Sequence, residues 1–154
     1  MKLPGRRLFR AVLACFVVLV CQPAAWANQC TLQVSPVVFP PYDPFSTSDT
    51  QATGTITLNC AQSVLVMILM RSGGAGSVGT RRMTQRGSVL RYNLYLDAAG
   101  SAVWGDGTDG SQFYSNPSPP HANVTAPVYG RIPARQTGVV AGPYSDTVSV
   151  TIVF

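Results

Sequence analysis

The chain has 154 residues, with 11 Lys plus Arg against 6 Asp plus Glu and a single histidine. Four of the cations fall within residues 1–27, so residues 28–154 carry seven arginines against six aspartates, a net of +1, with no Lys and no Glu. That balance removes the electrostatic footprint of a nucleic-acid-binding protein, and the 127 residues concerned suit one domain that buries roughly two thirds of its unfolded surface.

Residues 1–27 read as a secretory signal peptide. Lys2, Arg6, Arg7 and Arg10 make a basic start, residues 11–20 are apolar, and Ala25-Trp26-Ala27 is a small-residue cleavage signal. The apolar run is about half the length that a transmembrane helix needs. Cys15 and Cys21 leave with the leader, and Cys30 and Cys60 reach an oxidising compartment.

The first strand after the leader starts at Cys30, with Cys30, Leu32 and Val34 on one face. Residues 37–45 contain Pro40, Pro41 and Pro44, which exclude a central ladder position and predict an extended edge or loop. Residues 54–60 alternate again, with Ile56, Leu58 and Cys60 on one face, so both thiols point where the apolar side chains point. A Cys30–Cys60 disulfide would close a loop of about 30 residues and constrain the unfolded chain by roughly 3 to 4 kcal/mol. The alternative, a pair of metal ligands, lacks further Cys or His at ligand spacing.

Residues 64–70 are apolar on both faces, which predicts a central strand. Residues 73–80 and the cluster Arg81, Arg82 and Arg86 read as a solvated basic loop. Residues 90–96 alternate as one strand, 104–110 form a Gly- and Asp-rich turn, and 113–121 form a loop with prolines and aromatics. Val124, Ala126, Val128, Gly130 and Ile132 alternate once more. In the last stretch Val148, Val150, Ile152 and Phe154 share one face, and Thr147, Ser149 and Thr151 the other, as in a half-buried strand. A long apolar strand with a free edge is an aggregation hazard unless another chain covers it. Six or seven short strands, no helical pattern and no repeat predict an all-β antiparallel sandwich.

Catalytic chemistry has little to work with. His121 is the only histidine and reads as a loop residue, and no serine or cysteine stands in a nucleophile motif. Asp106 and Asp109 lack the ligand spacing and terminal Glu of an EF-hand, so a tight turn is expected. Asn123-Val124-Thr125 matches a glycosylation acceptor but falls at the start of an alternating segment. The reading is of a non-enzyme with no catalytic, cofactor-binding or metal residues.

The chain resembles the spore coat protein U domain of archaic, Csu-type chaperone-usher pilus subunits of Gram-negative bacteria. The resemblance rests on Cys30 before a Thr-rich strand, Phe39 with Tyr42-Asp43-Pro44, Gly54-Thr55-Ile56 leading to Cys60, and Arg82-Met83. It continues through Leu90-Arg91-Tyr92-Asn93-Leu94-Tyr95, Trp104-Gly105-Asp106-Gly107, Tyr129-Gly130-Arg131-Ile132 and Ala141-Gly142-Pro143-Tyr144-Ser145-Asp146-Thr147-Val148. These cover residues 28–154 in order; Pro40 departs from the glycine that usually follows the Phe.

The resemblance implies an incomplete immunoglobulin-like sandwich lacking its last strand. A periplasmic pilus chaperone supplies a strand, a neighbouring pilus subunit later replaces it with its own donor strand, and an outer-membrane usher exports the fibre. The edge carrying Val148, Val150, Ile152 and Phe154 is the expected acceptor. The protein is expected to be secreted through the periplasm to a cell-surface pilus. Only Asn28 and Gln29 separate the leader from Cys30, whereas a donor strand needs roughly ten residues at about 3.3 Å each, so a tip position is expected. A second reading is a self-complete coat-like protein, or a module binding a glycan or a host or abiotic surface through the aromatic loops 39–45 and 113–121.

Overall fold

The computed structural model describes residues 30–154; the expected leader, 1–27, with Asn28 and Gln29, lies outside the described residues. Nine strands and one short 3-10 turn follow in order. They are β1 (Cys30–Ser35), β2 (Thr50–Cys60), β3 (Val64–Met70), the turn Val78–Thr80, β4 (Arg82–Gln85), β5 (Ser88–Arg91), β6 (Asn93–Tyr95), β7 (Tyr114–Ser118), β8 (Asn123–Ile132) and β9 (Val150–Val153). All pairings are antiparallel: a four-stranded sheet in the order β1-β2-β8-β6, a three-stranded sheet in the order β7-β3-β9, and the hairpin β4-β5. The all-β sandwich expected from the alternation is the fold observed.

The alternation places one residue in two toward the core. On β2 and β8 these are Ile56, Leu58, Ala126, Val128 and Ile132, and on β3 they are Val66, Ile68 and Met70, all buried. Outward polar residues of β2 and β8 pair across the strands, Thr57 with Thr125 at 3.3 Å and Asn59 with Asn123 at 3.0 Å. Cys30 stands opposite Cys60 in the β1–β2 ladder, and the two form a disulfide. Trp104 is fully buried between the sheets, where its indole N–H donates to the Ile68 carbonyl at 2.9 Å and its ring stacks on Tyr114 at 5.9 Å.

Four expectations are corrected. Residues 90–96 are not one strand: β5 ends at Arg91 and pairs with β4, whereas β6 begins at Asn93 and pairs with β8, so the chain changes sheets at the buried Tyr92. The 113–121 loop contains a strand, β7; its Pro117 is tolerated because β7 is a sheet edge, with a neighbour on one side only. The supposed basic loop is the β4–β5 hairpin. Arg81, expected in solvent, is fully buried.

That guanidinium is held by carbonyls. Its Nε and Nη2 donate to Arg71 O, Nη2 also to Trp104 O, and Nη1 to Val78 O and to Asn93 Oδ1 at 2.8 Å. Burial lowers its pKa, and the charges of Tyr92, Asp146 and Asp106 oppose that shift. Arg81 thereby ties the end of β3, the 3-10 turn, β6 and the Trp104 segment into one unit.

Candidate strand-acceptor groove

Two sheet edges carry apolar side chains on their core faces that the fold leaves half open. On β1, Leu32 pairs with Leu58 and Val34 with Ile56, so each pair points to one face of the sheet. Leu58 and Ile56 are each 1% exposed, but Leu32 is 50% and Val34 58% exposed. On β9, Val150 pairs with Met70 and Ile152 with Ile68, again on the core face. Val150 remains 36% exposed, and Phe154, which continues that face, 52%. Val148 and Ile152 are partly buried against the core.

The terminal strand is shorter than its alternation implies. The ladder with β3 begins only at Val150, although Arg71 N donates to Ser149 O at 3.0 Å just before it. Further back the same segment leans on a different strand, through a bridge from Ser145 to Thr84 of β4. Residues 146–148 cross between the two strands, which is why Val148 lies outside the ladder while keeping its inward face.

Ahead of β9 and beyond β1 the two chain segments draw together. Residues 37–42 form one wall and 142–146 the other of an open cavity of about 470 Å³, with Met83, Leu90, Tyr92 and Ile132 among the residues that line it. The first wall lies close over the sheet because Gly130 faces it: a Cβ there would come within 2.6 Å of Val37 and Phe39 side-chain atoms. Phe39 meets Tyr92 edge-to-face at 6.2 Å. Tyr42 is pinned by its hydroxyl, which donates to Pro133 O and accepts from Gln136 N at 2.8 Å.

The second wall is fixed by Asp146. Its carboxylate accepts from the Tyr92 hydroxyl at 2.8 Å and from Gly74 N at 3.0 Å. Burial, and then the Asp146 carboxylate, raise the Tyr92 hydroxyl pKa above its ordinary value. Tyr144 donates from its hydroxyl to Ser88 Oγ at 2.6 Å or to Val140 O, and accepts from Val140 N. Sequence reasoning missed Asp146 and Arg81, since neither sits in a periodic position that distinguishes it from a loop charge.

The aromatic loops present less than expected. Phe39 and Tyr42 turn inward and Tyr114 stacks on Trp104, which leaves Phe45, 78% exposed, and Phe113. His121 is exposed in the turn between β7 and β8 with φ at 54°, its N–H donating to Cys60 O. Asp106 accepts from Thr108 in its own turn and pairs with Arg71. Among the described residues no three His, Cys, Asp or Glu side chains converge.

The arrangement offers free backbone edges beside half-open apolar rows, the two features that strand addition at a sheet edge uses. Comparison with solved structures places the fold. One match is the chaperone–tip adhesion subunit pre-assembly complex of CsuC and CsuE, from the archaic chaperone-usher Csu pili of Acinetobacter baumannii. It is 18% identical with a TM-score of 0.58, covering 83% of this chain and 40% of the other, so this chain spans well under half of that protein's length. Another is the chaperone–tip adhesin complex of CFA/I fimbriae, 14% identical with a TM-score of 0.42, covering 79% of this chain and 41% of the other. No curated protein sequence matches the chain. The likeness to the Csu subunit is one of fold, an immunoglobulin-like antiparallel sandwich, and it accords with the family model for the Spore Coat Protein U domain, which matches residues 14–151. The chain belongs to the Spore Coat Protein U domain family.

Proposed function

We propose that the chain is a structural subunit of a surface fibre assembled by a chaperone and an usher, and that it is completed by a strand from another chain. The leader, residues 1–27, directs it to the periplasm; a periplasmic pilus chaperone then fills the groove between β1 and the terminal segment. At the outer-membrane usher the donor strand of a neighbouring subunit replaces it, with Val148, Val150, Ile152 and Phe154 as the core-facing row on the acceptor side. The role is structural and requires no catalytic group.

The observation that carries this reading is the pairing of buried with half-exposed side chains on one face, Ile56 with Val34 and Leu58 with Leu32, at the edge of one sheet, together with the half-open row of β9 at the edge of the other. Family membership and the Csu subunit, solved as a complex with its chaperone, support it.

The test is periplasmic expression with and without a pilus chaperone, followed by mass analysis of the soluble material. A one-to-one complex, with little chain surviving alone, is expected. A stable, monodisperse monomer without chaperone overturns the reading in favour of a self-complete coat-like protein. N-terminal sequencing of the exported chain then sets its place in the fibre. Two residues ahead of Cys30 leave nothing to donate, as at a tip, whereas about ten or more make a shaft subunit.

A further inference from the structure

The β4–β5 ladder sets Arg82 directly opposite Arg91, and both lie on the outer face because the next pair, Met83 and Leu90, is buried. Like charges directly opposite each other weaken an antiparallel pair. Arg86 and Gly87 form the two-residue turn of this hairpin with φ at 45° and 86°, backbone values that such a turn ordinarily fills with Asn and Gly. Arg135 also has positive φ, at 60°. It adjoins Gln136, whose amide accepts from Arg91 N at 2.8 Å and donates to Arg91 O at 2.9 Å.

These four arginines are exposed. The ion pairs among the described residues are Arg71 with Asp106 and Arg131 with Asp49, and Arg81 is buried. Arg82, Arg86, Arg91 and Arg135 are therefore the unpaired cations of the described surface. Apart from one 3.4 Å hydrogen bond from Arg82 Nη2 to Gly74 O, these guanidinium groups have no partner among the described residues, so a like-charge pair and two left-handed arginines gathered on one hairpin and the loop beside it are a local cost of the kind retained where a surface has work to do.

The geometry points to an anion-binding surface on the outer face of the β4–β5 hairpin, formed by Arg82, Arg86, Arg91 and Arg135, whose ligand is a linear polysaccharide bearing carboxylates. The cations do not converge on one point: the Arg82–Arg91 pair stands at the open end of the hairpin and Arg86 at its turn, four residues from Arg82 and about 13 Å away at the rise of a strand. That spacing suits a chain of charges better than a single compact anion. Each guanidinium fork matches a carboxylate with two parallel hydrogen bonds. A stiff sugar polymer holds its carboxylates pre-spaced and loses less conformational freedom on binding than an acidic peptide. The inner face of the same hairpin, Met83 and Leu90, lines the groove, so a polymer on the outer face leaves strand entry unobstructed.

The experiment measures retention of the exported chain, in its soluble complex with a strand donor, on immobilised polygalacturonate, polyglutamate and neutral dextran across a salt series. Retention on polygalacturonate that weakens with salt, exceeds that on polyglutamate and is absent on dextran is expected. Arg82→Gln with Arg91→Gln weakens it at least tenfold, while Arg71→Gln, which removes one cation from an ion pair elsewhere, leaves it unchanged. The double variant unfolds at an equal or higher temperature, because the like-charge pair is gone, so its loss of binding is not a loss of fold. No retention on polygalacturonate at low salt, equal or tighter retention on polyglutamate, or an equal loss in Arg71→Gln overturns the assignment.

Discussion

Val34 and Ile56 stand directly opposite each other in the β1–β2 ladder and point to the same face, yet Ile56 is 1% exposed and Val34 58%. Two neighbours on one face differ so widely only when the second layer of the sandwich stops between them. Leu32 and Val34 on β1, with Val150 and Phe154 on the terminal segment, leave an apolar seam uncovered at the edge of each sheet, and covering each side chain stabilises by on the order of 1 kcal/mol, about half the value of full burial.

Charged replacements on the β9 side of that seam should abolish capture by a strand donor. An incoming strand would have to dehydrate both carboxylates of Val150→Asp with Ile152→Asp, at a cost of several kcal/mol. Co-purification with the chaperone reports the outcome, and normal recovery of the complex from the double variant would contradict the assigned edge.

Replacing Cys30 and Cys60 by serine removes a cross-link spanning 30 residues of sequence. The loop-entropy relation gives a loss of about 3 to 4 kcal/mol. Because β1 is held by β2 alone, the loss should appear first as faster hydrogen exchange of β1 amides. Denaturant titration of oxidised and serine-substituted protein measures the size.

Arg81→Met should lower stability by about 3 to 5 kcal/mol. It leaves the carbonyls of Arg71, Val78 and Trp104 without their Arg81 donor and takes one of two donors from Asn93 Oδ1, which keeps the Leu94 N–H. Arg81→Lys should recover little, since an ammonium lacks the planar fork that reaches four separate acceptors. Urea midpoints of the two variants, compared with the parent, settle the point; a near-parental Lys variant would show that charge alone suffices.

Alkaline stability should depend on Tyr92. Burial and Asp146 raise its folded pKa above the unfolded value of about 10. The neutral hydroxyl therefore contributes its full stabilisation below about pH 10, and the contribution declines as pH rises further, because the unfolded chain releases its proton first. Tyr92→Phe should cost about 1 to 3 kcal/mol at neutral pH through the lost bond to Asp146 and should flatten the decline above pH 10. Thermal midpoints between pH 7 and about 11 give both quantities; an unaltered alkaline slope in the variant would assign the decline to other groups.

Period-two alternation is a local property of the backbone, and what it encodes was legible in the sequence. It identified β2, β3 and β8, told the inward Ile56 and Leu58 from the outward Thr55 and Thr57, and aimed Cys30 and Cys60 to the same side. It also marked the even-numbered residues from Val148 to Phe154 as a single face. Alternation says nothing of which strand lies alongside, because hydrogen-bond partners come from remote parts of the chain. Only the tertiary structure could divide residues 90–96 between two sheets at Tyr92, or place Pro117 on an edge strand with a neighbour on one side only. The same holds for Arg81, whose neighbours in sequence look like a solvated basic loop. Its burial is possible only because Arg71, Val78, Asn93 and Trp104, spread over 33 positions, bring their acceptors to one point. The half-open seam is likewise a tertiary fact: each strand is apolar on its inner side by sequence, and the packing of the two sheets decides which inner sides are left uncovered.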